Sequence, residues 1–154
     1  MTVVVGVDGS AGTQAAIRLA AQEARYRSAP LLAVMAYSGE RPLGAAPASR
    51  PVSTLRTAAD ELATTDVMLH DIVNSALGGQ ADGVVCRAVA GLPGHALVTV
   101  ARETEAQLIV LAARRDTPVA RVLGAVSQQV LRSAPCPVMV VPDSGASTKA
   151  DVST

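Results

Sequence analysis

Asp8, Gly9 and Ser10 follow directly on the run Val3-Val4-Val5-Gly6-Val7, and Gly124-Ala125-Val126-Ser127 opens an amphipathic stretch that reaches Arg132. These clusters suit non-covalent recognition of a polar, anionic molecule. A carboxylate such as Asp8 accepts hydrogen bonds from a base or a ribose. A helix that opens on glycine turns backbone amides, and the positive end of its dipole, toward an anion. Arg114, Arg115 and Arg121 stand just before that helix, and guanidinium groups can hold phosphate through side chains alone. Each feature also has a purely structural use: Asp8 as a cap of the next helix, Gly124 as relief of crowding, the arginines as a solvated loop. Covalent chemistry has less to draw on, because Ser10 has no recognisable histidine partner and neither His70 nor His95 belongs to a paired motif. No Walker sequence is present.

The elements that must position these residues can be read from periodicity. Val3 to Val7 has the β-branched character of a strand covered on both faces, and Asp8-Gly9-Ser10 ends it with turn chemistry. Ile17, Ala20, Ala21 and Ala24 recur at helical spacing and predict a helix from about Thr13 to Arg27. Leu31 to Tyr37 reads as the second strand. Ser38 to Pro51, broken by three prolines and two glycines, reads as a long loop of the sort that covers a site. Leu55, Ala58, Leu62, Leu69, Ile72 and Ala76 share one helical face, closed by Gly78-Gly79. Val84 to Val89 is strand three, and Gly91-Leu92-Pro93-Gly94 leads into a helix with Leu97, Val100, Ala101 and Thr104 inward. Leu108 to Leu111 is strand four, Ala112 to Val122 a loop, Gly124 to Arg132 a helix and Val138 to Val141 strand five. Alternation of this kind calls for an open parallel five-stranded sheet with helices on both faces, an α/β Rossmann-like fold. We expect one domain over residues 1–141 and a flexible tail over 142–154, where small polar residues dominate.

Composition narrows the function classes. Thirteen basic residues balance thirteen acidic ones and aromatics are 1% of the chain, which leaves neither a basic field nor a stacking platform for nucleic acid. No apolar run approaches the roughly 20 residues of a membrane helix. Cys86 and Cys136 lie far apart without partners at metal-ligand spacing, so both are expected as small core residues of a reduced, cytoplasmic protein. No metal centre is expected.

The start Val3-Val4-Val5-Gly6-Val7-Asp8-Gly9-Ser10, the stretch Leu123 to Leu131 and the ending Ala134-Pro135-Cys136-Pro137-Val138-Met139-Val140-Val141 together resemble a universal stress protein domain. The resemblance implies the strand order 3-2-1-4-5. In a sheet so ordered, a crevice opens between the carboxyl ends of strands one and four, and Asp8 and Gly124 to Ser127 converge there. Val34 appears at the family position whose backbone meets adenine, while Val7, Leu111 and Val126 would wall an apolar slot. ATP-binding members carry glycine, two residues, glycine, nine residues, then glycine and a hydroxyl residue. This chain has Ala112 at the first glycine, Arg115 at the second, a loop one residue shorter, Gly124 at the third and Ala125 in place of the hydroxyl.

A methyl keeps phosphate from the backbone, and arginine lacks the conformational freedom of glycine. Loss of two hydrogen bonds at about 1 to 2 kcal/mol each weakens binding roughly 30-fold to 1000-fold. We therefore expect a non-catalytic stress-response module that requires no cofactor and binds ATP or another adenine nucleotide weakly or not at all. The alternative is an adenine-nucleotide (ATP or AMP) sensor with Arg114 and Arg115 in a modified phosphate loop. The nucleotidyltransferases of similar architecture use paired histidines, and Pro93-Gly94-His95-Ala96 supplies one. The family also implies a homodimer through the last strand, Val138-Met139-Val140-Val141. An unidentified protein partner stays open.

Overall fold

Three consecutive valines fix the centre of the molecule. In the computed structural model, which describes residues 1–10, 12–38, 57–113 and 124–142, Val3, Val4 and Val5 are wholly buried. They belong to β1 (Val3–Gly6), which is flanked by β2 (Leu31–Tyr37) and β4 (Leu108–Ala112). β3 (Val85–Ala90) and β5 (Val138–Val141) complete a five-stranded sheet of order β3-β2-β1-β4-β5. All pairings are parallel, with Val3 opposite both Leu31 and Leu108. This is the fold class expected from the alternation of elements and the strand order that the family resemblance implied.

Alternation along the strands sends side chains to two separate cores. Val3, Val5 and Val7 pack with α1 (Thr13–Tyr26) and α2 (Ala58–Ala76) through Ile17, Ala20, Leu69 and Val73. Val4, Leu32 and Ile109 pack on the other face with α3 (Pro93–Glu103) and α4 (Ala125–Ser133) through Leu97, Val100 and Val130. Each fully buried aliphatic side chain, such as Ile17 or Ile109, contributes about 1.5 to 3 kcal/mol relative to exposure. The chain moves outward from β1 to β3 under α1 and α2, then crosses back under α3 to β4. That reversal leaves a crevice between the carboxyl ends of β1 and β4.

Several local expectations shift. β1 releases Val7, β3 runs one residue later than expected, and β4 extends to Ala112. Ala58 is exposed and Leu62 is 42% exposed rather than inward, because α2 buries only Leu69, Val73 and Ala76, all from its second half. Thr104 is the C-cap of α3 rather than an inward helical residue, and its hydroxyl donates to the Val100 carbonyl at 2.8 Å. The expected loop from Ser38 to Pro51 lies outside the described residues beyond Ser38. Leu55, the loop residues 114–122 and the tail from 143 onward also lie outside them. Among the described residues, no helix is long and apolar enough to cross a membrane.

Candidate functional site

A cavity of about 210 Å³ opens at the carboxyl ends of β1 and β4. Asp8 sits where β1 gives way to a turn. Its Oδ1 accepts from the Ser10 amide at 2.9 Å and from the Ser10 hydroxyl, and the Asp8 amide donates to Thr13 Oγ1 at 3.3 Å. Asp8 therefore organises the β1–α1 turn. The residue that caps α1 is Gly12 instead, with no side-chain cap bond.

On the facing wall α4 begins. Gly124 is its N-cap, at φ −57° and ψ 159°, and its carbonyl accepts from the Gln128 amide at 3.0 Å. Such angles are open to any residue, so the value of glycine there is its missing side chain. No described side chain caps α4, and the first amides of a helix have no partner within the helix. The amides of Ala125, Val126 and Ser127 occupy that first turn beside the cavity, with the positive end of the helix dipole behind them. Ser127, 5% exposed, is one of two buried polar residues among the described ones.

Val7, Asp8, Val34, Leu111, Ala112, Gly124, Ala125, Val126 and Ser127, all singled out from the sequence, line this one cavity. Arg114 and Arg115, and Arg121 with them, lie outside the described residues. The Val34 carbonyl accepts from the Val7 amide at 2.8 Å, and a carbonyl keeps a second lone pair for a ligand. Gly6, Gly9, Met35, Ala36, Pro93 and Leu97 complete the wall and were not read from the sequence. Met35 and Ala36 follow Val34 along β2, so the rule that ligands gather at strand carboxyl ends carried the signal for both. Pro93 and Leu97 enter from α3, whose approach depends on packing between elements distant in sequence.

Among the described residues, none that lines the cavity is a cysteine or a histidine. Cys86 and Cys136 are free and half-buried. Burial, with a smaller contribution from Asp66, pushes the Cys86 thiol up, and burial alone pushes up that of Cys136. Both stay protonated at neutral pH and are poor nucleophiles. His70 and His95 are exposed, and His70 Nδ1 lies 2.8 Å from the Asp66 carbonyl in its own helix. Among the described residues, no group of three metal-ligating side chains is assembled.

The universal stress protein family model matches residues 1–142 of this chain. A universal stress protein solved in complex with cAMP is 28% identical, covers 93% of this chain and 97% of its own, and superposes with a TM-score of 0.63. UspA from Lactobacillus plantarum is also 28% identical, with a TM-score of 0.68 over 91% of this chain and 97% of its own. A universal stress protein from Archaeoglobus fulgidus is 25% identical, with a TM-score of 0.63 over 91% and 97%. No curated protein matches. Sequence and strand order agree, and the chain belongs to the universal stress protein family.

Proposed function

We propose that the protein is a non-catalytic regulatory module of the stress response, whose cleft takes an adenine nucleotide bearing one phosphate group and takes ATP weakly or not at all. One observation carries this reading: a single cavity joins the Asp8 turn, the Val34 backbone and the uncapped start of α4. Its volume of about 210 Å³ is below the roughly 300 to 1,000 Å³ of pockets that enclose drug-sized ligands. A base and sugar with a short anionic end suit that space better than a triphosphate. The similar protein solved with cAMP carries a ligand of this kind. Ala112 and Ala125 place methyl groups where ATP-binding relatives use glycine and a hydroxyl, which disfavours a longer phosphate chain.

Ser10 has no histidine partner among the described residues, and its hydroxyl donates to Asp8 within the same turn, which supports a binding role over a catalytic one. We place the protein in the cytoplasm, with Cys86 and Cys136 reduced. We also propose a homodimer through β5, whose four residues are all only half-buried and which pairs on one side with β4. An apolar strand edge of this kind seeks a partner. Light scattering tests the contact: a dimer that a charge at Val140 converts to monomer is expected, and a monomer without the substitution rejects it. Mass spectrometry of small molecules released from freshly purified protein tests the ligand. A reproducible adenine monophosphate is expected, while an empty cleft favours a ligand-independent scaffold.

A further inference from the structure

A β-carbon added at Gly6 would lie 2.9 Å from Leu111 Cδ2, 2.9 Å from Leu97 Cδ1 and 3.4 Å from Leu97 Cδ2. Carbon atoms attract best at about 3.5 to 4.0 Å, so the two shorter approaches are repulsive. Leu97 from α3 and Leu111 from β4 therefore lie over the bare backbone of β1. Each is 4% exposed and packed in the core with Val4, Val100 and Ile109, yet each also lines the cavity. A core at native density offers them no sideways room. Their open side is the cavity.

We infer that Gly6 is a specificity-determining residue: its missing side chain holds Leu97 and Leu111 low, and together the three form a steric stop that sets how deep a flat base enters the cleft. A larger residue at position 6 lifts the leucine ends into the cavity and shortens the slot. The choice of ligand rests on the nucleotide reading above, but the steric stop does not.

Titration with cAMP and a crystal structure of the Gly6→Ala variant test the two parts separately. Gly6→Ala is expected to weaken cAMP about tenfold or more, with both leucine side chains displaced toward the cavity. Adding Leu97→Ala removes one of the two clashes and leaves that with Leu111, so the Gly6→Ala change should cost clearly less affinity in the Leu97→Ala background than in the unaltered chain. If Gly6→Ala alone does not fold, the position of Leu111 in a crystal structure of the double variant decides instead. The stop is overturned if the leucines stay in place while β1 moves, if Gly6→Ala binds like the unaltered chain, or if the Gly6→Ala change costs as much affinity with Leu97→Ala as without it. A protein that binds no cAMP before any substitution sinks the nucleotide reading, and the crystal structure then still decides the stop.

Discussion

The two ends of the sheet treat their helix termini in opposite ways. At the amino ends of the strands, α1, α2 and α3 close in one pattern. The amides of Ala29, Gly79 and Ala106 donate to the carbonyls of Ala24, Asn74 and Ala101, each at 2.9 Å, around left-handed residues at Ser28, Gly78 and Glu105. A second bond in each, such as Ser28 to Arg25, completes a Schellman closure. At the carboxyl ends, α1, α3 and α4 open without a side-chain cap among the described residues. Of these, α3 and α4 line the cavity, whereas neither α1 nor α2 contributes a residue to its wall, and α2 opens on a complete capping box between Thr57 and Asp60. The chain therefore can cap a helix start, and among these four it does so only away from the cavity. Among the described residues, the bare amides beside the cavity are chiefly those of α4. α3 adds less than α4, because Pro93 at its first position has no N–H.

Substitution at the cavity end should have the largest effect. Gly124→Asp places a carboxylate at the N-cap of α4, where it competes for the first amides and repels phosphate. Calorimetry should show cAMP affinity lowered by about 100-fold or more, while thermal unfolding shows stability unchanged or a few tenths of a kcal/mol higher. The capped helix should behave in reverse. Thr57→Ala is expected to cost about 1 kcal/mol in urea unfolding and to leave cAMP affinity alone, and a loss of affinity would erase the distinction between the two kinds of helix start.

The amino end offers a smaller effect of opposite sign. Ser28→Gly and Glu105→Gly should each stabilise by about 0.5 to 1 kcal/mol, because glycine enters the left-handed region without a Cβ penalty. Gly78→Ala should destabilise by a similar amount. If all three changes prove neutral, the closures carry no strain.

The smallest effect lies at the sheet edges. A thiol raised by burial holds its proton longer in the folded chain than in the unfolded one. Its contribution to stability is full below the ordinary thiol value of about 8.5 and declines as pH rises above it. Unfolding midpoints should therefore fall slightly in alkali, and a Cys86→Ala/Cys136→Ala chain should lose that slope. Cys86, whose thiol is pushed up by burial and also by the nearby Asp66 carboxylate, should be alkylated more slowly than Cys136.

Strand identity was legible because β1, β2 and β4 are buried on both faces and read as unbroken apolar runs. The cleft was legible because the family resemblance implied the order 3-2-1-4-5, which brings the ends of strands one and four together, and because Asp8 and Gly124 adjoin strong periodic elements. Ser28 and Glu105 were not, since serine and glutamate carry no stop signal comparable with Gly78, and their left-handed angles come from the closure around them. Leu62 misled because helical spacing reports a face but not how far the sheet extends beneath it. Gly6 read only as a break in a valine run. Its use depends on Leu97 and Leu111, which tertiary packing alone brings to it.

Calorimetry of the nucleotide-free protein with cAMP and with ATP tests the cleft most directly. Measurable binding of cAMP, with ATP at least about tenfold weaker, is the expected result. Micromolar ATP affinity equal to or above that for cAMP, or no heat with either, would contradict a cleft shaped for a single phosphate.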